Sequence, residues 1–205
     1  KLDMLISDDL KFEKLDNLGV EYIFSPEFSD LKELTAESFV ENILVKKMNA
    51  AFTICGENFR FGKGAFAGSK ELSELGKKYG ITTIVLPFTY FNGKPISSSE
   101  IRHFISEGSV DIANTMLGYD FHFRLPVVHG NAIGRTLDFP TINQYFPVGQ
   151  VIPRFGVYAS ASIVDGKEYP SITNVGIKPT IGREKSPLAE TYIIESLRWF
   201  GILPT

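Results

Sequence analysis

Residues 129–143 read His-Gly-Asn-Ala-Ile-Gly-Arg-Thr-Leu-Asp-Phe-Pro-Thr-Ile-Asn, and their types and spacing suit the handling of a phosphate. Gly130 and Gly134 can leave backbone N–H groups facing an anion. Arg135 adds a planar cation matched to phosphate oxygens. Thr141 and Asn143 bring a hydroxyl and an amide two residues apart, and in an extended segment that spacing points both to one face. Oxygen donors of this kind suit Mg²⁺ and the phosphate tail of a nucleotide. The alternative is an ordinary polar surface loop; four compatible features in one short run favour the phosphate.

Two further segments carry candidate chemistry. Gly56-Glu57-Asn58-Phe59-Arg60-Phe61-Gly62-Lys63-Gly64 directly follows the apolar run Ala51–Cys55. A strand leading into a glycine-rich basic loop and then a helix is the layout at the carboxyl edge of an α/β sheet, where ligands bind. Gly56 and Asn58 are the candidates there. The segment is not a Walker A loop, because Gly62-Lys63 lacks a following Ser or Thr. A surface loop pinned by Phe59 and Phe61 is the rival reading. Ile96-Ser97-Ser98-Ser99-Glu100-Ile101-Arg102 starts a helical pattern. Its hydroxyls can cap the helix. Alternatively Ser97, Ser98, the free N–H groups and Arg102 can bind phosphate. Capping is the simpler reading from physics alone.

These residues need elements to position them. Leu10, Leu15 and Leu18 sit at helical spacing before Gly19, and Val20–Phe24 then reads as a short strand. Thr35 can cap a helix bearing Phe39, Ile43 and Leu44, with Lys46 and Lys47 in its last turn. Ala51–Cys55 is a second strand. Ser69 caps a helix with Leu72 and Leu75 that ends at Gly80, and Ile81–Leu86 is a third strand. Helices over Ser99–Glu107 and Val110–Leu117 follow, each closed by glycine. The alternation predicts a parallel sheet flanked by helices. After Gly118 the period changes to two: Phe121, Phe123, Leu125 and Val127 alternate with polar residues or proline. Val157, Ala159, Ala161 and Ile163 alternate with Tyr158, Ser160 and Ser162, and Asp165-Gly166 signals a hairpin. This half is expected to form an antiparallel barrel or sandwich, with the boundary near 118–120.

Composition narrows the function. The 205 residues carry a net charge of −3 without a basic stripe, which argues against a nucleic-acid partner. The single cysteine, Cys55, excludes an intrachain disulfide and fits a reducing, cytoplasmic compartment. Its apolar neighbours mark it as a buried hydrophobe rather than a nucleophile. No apolar run is long enough to span a membrane. Oligomeric state is not encoded in any of these features.

Three matches in order turn these fragments into a resemblance. Gly134–Asn143, read G-R-T-L-D-F-P-T-I-N, resembles the riboflavin kinase signature G-R-T-L-G-F-P-T-x-N, with Asp138 in the glycine place. Upstream, G-x-N-F-R-F-G and I-S-S-S-x-I-R resemble the FMN adenylyltransferase half of prokaryotic bifunctional FAD synthetases, with Ser99 in the place of Thr. The resemblance implies a Rossmann-like nucleotidyltransferase domain over 1–118 and a riboflavin kinase β-barrel over 119–205. It implies that Thr141 and Asn143 hold Mg–ATP. Glu190-Thr191-Tyr192-Ile193 resembles the E-T-H-I strand whose glutamate is the proposed base. Glu190 and Tyr192 share a face by alternation; by itself a strand glutamate is more often a solvated residue. Asn174–Thr180 resembles the N-I-G-x-R-P-T segment bordering the site, with Lys178 for Arg, and receives a supporting role; Arg154–Tyr158 matches a strand start and is read as structural.

The resemblance implies ATP-dependent conversion of riboflavin to FMN and of FMN to FAD, with no membrane partner. A non-enzymatic flavin- or nucleotide-binding regulator on the same folds is the alternative. None of His103, His122 and His129 forms the superfamily's H-x-G-H motif. A chain truly beginning at Lys1 would lack the N-terminal part of the first domain and is expected to lack adenylyl transfer. Glu195–Phe200 resembles the start of a later family element, so the C-terminal lid is expected to be incomplete.

Overall fold

The structure is a computed structural model and describes residues 3–128, 141–177 and 186–194. The chain divides into two compact units, Val20–Ile96 and Lys1–Gly19 together with Ser97–Thr205. Helix α1 (Asp8–Asn17) opens the larger unit. The Ser7 hydroxyl caps it by accepting from Leu10 N–H, and Gly19 leaves it at φ +79°.

The smaller unit begins with α2 (Phe28–Leu31) and α3 (Ala36–Phe39), the latter running on into a π-helix (Val40–Lys47). The Thr35 hydroxyl accepts from Ser38 N–H at 3.1 Å, as its sequence position predicts. Strand β1 (Phe52–Gly56) is followed by a short hairpin, β2 (Arg60–Phe61) and β3 (Ala67–Gly68). Then come α4 (Ser69–Lys77), β4 (Thr82–Leu86) and a second hairpin, β5 (Tyr90–Phe91) and β6 (Lys94–Pro95). β1 and β4 pair in parallel, with Ile54 opposite Ile84. Their crossover contains a helix, as parallel pairing requires. Val40, Leu44, Phe61, Leu72, Leu75 and Ile81 form the core.

In the larger unit α5 (Ser98–Ser106) and α6 (Val110–Leu117) precede an antiparallel sheet. Ile101, Ile105, Ala113 and Met116 are their buried positions, and Gly118 ends α6 in the left-handed region. The sheet comprises β7 (Thr141–Tyr145), β8 (Gly156–Val164), β9 (Lys167–Ile177) and β10 (Pro187–Ile193), in the order β7-β10-β9-β8. Asp165 and Gly166 both have positive φ in the β8–β9 turn, which matches the strand twist of a tight hairpin. Phe146, Val175 and Ala189 form a core against which Phe123, Leu125, Ile152 and Tyr158 pack.

A parallel pair with helices followed by an antiparallel sheet agrees with the sequence reading; the described strands do not close into a barrel. Several local expectations are corrected. Val20–Phe24 forms no strand, because no described segment offers its backbone a partner. Ser69 is the first residue of α4, not its cap: Gly68 takes the cap position and its N–H donates to the Glu71 carboxylate at 2.8 Å. Phe121–Leu125 keeps its alternating burial, but Val127 is exposed, and among the described residues the segment pairs with the sheet only through a bridge at Val128. Cys55 is half-buried against the core of the smaller unit rather than fully enclosed.

Candidate functional site

The sheet of the larger unit brings the candidate residues together by register. Across β7, β10, β9 and β8 one row reads Asn143, Glu190, Asn174, Val157. The next row on the same face reads Thr141, Tyr192, Ile172, Ala159. Side chains two apart on a strand share a face, so Thr141, Asn143, Asn174, Glu190 and Tyr192 all rise from one side. Directly opposed residues have Cβ atoms only about 4.5–5.5 Å apart, which puts Glu190 within reach of a carboxamide on either flank.

The opposite face explains why the register is fixed. Thr173 and Thr191 are buried, and their hydroxyls lie 2.9 Å apart. Thr173 also meets the Ser160 hydroxyl at 2.8 Å, and Ser171 donates to Ser162 at 2.8 Å. Sliding β10 by one residue would turn Glu190 to this side and break the Thr173–Thr191 contact. β8 thus turns Tyr158, Ser160 and Ser162 inward and leaves Val157 and Ile163 exposed. Alternation told which residues share a face, not which face is covered.

Asn143 is 5% exposed, and its Oδ1 is buried with no hydrogen-bond partner among the described residues. A carbonyl oxygen kept from water is costly unless something completes it. The strand that carries it is well held: Val128 N–H donates to Asn143 O at 2.8 Å, and Gln144 Nε2 donates to Leu125 O at 2.6 Å. Gly130, Gly134 and Arg135 lie outside the described residues, as do Lys178–Thr180 and Glu195–Phe200. Asn174 opens the segment read from the sequence as bordering the site, and the β9–β10 register sets it opposite Glu190.

In the smaller unit the candidates sit at strand ends. β1 stops at Gly56 and β4 at Leu86, side by side, and the loop after β1 starts there. Phe59 N–H closes the turn onto Gly56 O at 3.0 Å. Asn58 Oδ1 lies 3.1 Å from where a Cβ on Gly56 would stand, a tight approach that glycine permits. The Glu57 carboxylate accepts from Phe88 N–H at 2.8 Å and ties this loop to the one after β4. Ser97, Ser98 and Arg102 belong to the other unit. Ser97 caps α5, its hydroxyl accepting from Glu100 N–H at 3.3 Å, and Arg102 Nε donates to the Asp3 carbonyl.

The chain thus joins a helix-flanked parallel pair to an antiparallel sheet that carries Thr141, Asn143 and Glu190 on one face. A family model described as FAD synthetase matches residues 1–100, and one described as riboflavin kinase matches 117–200. The chain belongs to the bifunctional riboflavin kinase/FMN adenylyltransferase family. It is 32% identical over 188 residues to the protein of that name from Escherichia coli K12, covering 90% of this chain and 59% of that one. The namesake from Bacillus subtilis strain 168 is 32% identical over 187 residues, covering 90% and 58%. A crystal structure described as a macrolide-efflux protein from Streptococcus pneumoniae superposes with a TM-score of 0.78 at 29% identity, over 94% of this chain and 62% of that one. The chain thus spans about three fifths of the length of the curated relatives it matches. No described helix is long and apolar enough to cross a membrane.

Proposed function

We propose that the full-length protein makes flavin cofactors with ATP: it phosphorylates riboflavin to FMN at residues 119–205 and adenylylates FMN to FAD with residues 1–118. The former would be a riboflavin kinase β-barrel and the latter a Rossmann-like nucleotidyltransferase domain. The observation that carries the kinase reading is the shared face of Thr141, Asn143 and Glu190, with Asn143 Oδ1 buried and unpartnered among the described residues. No observation favours the regulatory alternative.

The residues fit Mg²⁺. A threonine hydroxyl, an amide carbonyl with no donor among the described residues and a neighbouring carboxylate are hard oxygen donors. Thr141 and Asn143 would hold the cation with the nucleotide, and when bound it offsets charge on the phosphate oxygens. Glu190, one strand away, orients the 5′-hydroxyl of riboflavin and takes its proton. The hydroxyl oxygen bonds to the γ-phosphorus as the bond to the β-phosphate oxygen breaks, and ADP leaves. Gly130, Gly134 and Arg135 are proposed to cradle the phosphates. In the first domain Gly56, Asn58, Ser97, Ser98 and Arg102 are proposed to contact the adenylyl donor. Ser97 also caps α5 and Arg102 Nε also donates to the Asp3 carbonyl, so the helix N–H groups would share the anion with them.

The test is riboflavin phosphorylation by the full-length protein. Thr141→Ala and Asn143→Ala should each remove about 2–4 kcal/mol of transition-state stabilisation. Wild-type FMN formation by both variants overturns the assignment.

A further inference from the structure

Asp3 and Met4 are held from two sides within the larger unit. Met4 N–H donates to the Gly149 carbonyl at 2.7 Å, and Val151 N–H donates to the Met4 carbonyl at 2.9 Å. Met4 thereby forms a parallel bridge with Gln150. Gln150 and Val151 are 5% and 4% exposed, so the segment that receives Met4 is itself fixed. Gln150 N–H closes the turn before it onto Pro147 O at 3.3 Å, just after β7. Met4 commits both of its backbone groups to that side. In an extended chain the groups of the neighbouring residue face the other way. On that other side the Asp3 carbonyl accepts from Arg102 Nε on α5. The Met4 residue is 41% exposed, so backbone bonds rather than packing make the attachment.

We propose that the Met4 bridge positions Arg102: it fixes the Asp3 carbonyl, which takes Nε and leaves Nη1 and Nη2 as a fork for the phosphates of the adenylyl donor. This rests on the reading of Arg102 as a contact of that donor. A guanidinium carries five N–H donors in one rigid plane. One can be spent on a carbonyl while two parallel ones grip phosphate oxygens. Arginine otherwise keeps large rotamer freedom, and tethering Nε removes much of it before the nucleotide arrives. Helical side chains also lean toward the helix N-terminus, the end whose free N–H groups share the anion.

The experiment compares Met4→Pro, Met4→Ala, Arg102→Lys, Arg102→Ala and the double variant Met4→Pro/Arg102→Ala in the full-length protein. Proline deletes the N–H that donates to Gly149, whereas alanine keeps every backbone bond. Met4→Pro should raise KM for ATP in FAD formation about fivefold, with kcat and the rate of FMN formation each within about twofold of wild type. Met4→Ala should match wild type in both reactions. Arg102→Lys should lose nearly as much ATP affinity as Arg102→Ala, because one ammonium cannot hold the carbonyl and fork a phosphate together. In the Arg102→Ala background Met4→Pro should cost less than about twofold, since the group it positions is gone. A wild-type KM in Met4→Pro or in Arg102→Lys overturns the proposal. So does an equal loss of FMN and FAD formation in Met4→Pro, or a loss that multiplies in full with Arg102→Ala. Should Met4→Pro fail to fold, Arg102→Lys decides alone. If Arg102→Ala keeps a wild-type KM, the donor contact falls and this falls with it. If Arg102→Ala loses affinity and Met4→Pro does not, only the positioning role falls.

Discussion

The two sheets place their candidate chemistry differently. In the antiparallel sheet Thr141, Asn143 and Glu190 rise from strand faces, and their relative positions follow from register. In the parallel pair the strands supply only a platform, and Gly56 and Asn58 sit in the loop where both strands end. A face site inherits the rigidity of its ladder but fails if the ladder slips. A loop site depends on turns, caps and glycine, and tolerates change in the strands beneath it. The first arrangement suits a reaction needing a base at a fixed spot, the second the grip on a phosphate tail.

The largest expected effect tests the face site directly. Glu190→Gln should cut riboflavin phosphorylation by roughly 10²–10⁴, about 3–5 kcal/mol in barrier, with ATP affinity little changed. Equal losses of turnover and nucleotide affinity would make Glu190 a metal ligand or a fold determinant. Steady-state kinetics with separately varied ATP and riboflavin decides between them. Next comes the start of α5. Arg102→Ala should weaken ATP in the FAD-forming reaction by about tenfold, near 1.4 kcal/mol, and leave FMN formation nearly intact. Parallel loss of both activities would show that the Arg102–Asp3 contact is structural instead.

Smaller effects sharpen the contrast in stability. Thr191→Val removes one hydroxyl from the buried row under the face site and should cost about 0.5–1.5 kcal/mol, read from denaturant unfolding. A simultaneous drop in kcat, with KM for ATP steady, would show that the row also tunes the register holding Glu190. The smallest effect lies in the smaller unit. Gly68 N–H holds the Glu71 carboxyl below the usual carboxylate range, with the residue's own backbone N–H helping. A lowered folded-state value gives stability that is full above the unfolded-state value and is lost as pH falls through the folded one. Glu71→Gln should therefore flatten the decline of the thermal midpoint between about pH 5 and 3. An unchanged acid limb would leave this cap without a role in stability.

Local chemistry made much of this legible. Thr35 caps where expected, Gly80 and Gly118 take positive φ at helix ends, and Asp165-Gly166 forms the tight turn. These signals lie within a few residues of what they specify. The shared face of Thr141 and Asn143 likewise follows from a period of two. What stayed hidden is non-local. β7 pairs with β10 rather than with its sequence neighbour β8, and nothing in either strand's periodicity announces this. Glu190 and Asn174 were both drawn toward the site by family resemblance, and only the ladder sets them opposite each other. Val20–Phe24 has strand-like residues but no described backbone to pair with, and composition cannot supply one. The five-residue bonding of Val40–Lys47 also escaped, because its apolar spacing fits an ordinary helix too.

The row of hydroxyls beneath the site has a consequence for inheritance. Thr173 stands between Ser160 and Thr191 and has a single proton to give, so the direction of each bond depends on its neighbour's. Replacing one member strands a buried oxygen on the next, whereas exchanging neighbours together for apolar residues of like shape is nearly free. Positions 160, 173 and 191 should therefore change in concert among descendants of this sequence. A lineage that loses one hydroxyl comes under pressure to lose the others, while the opposite face, with Asn143 and Glu190, is left as it was.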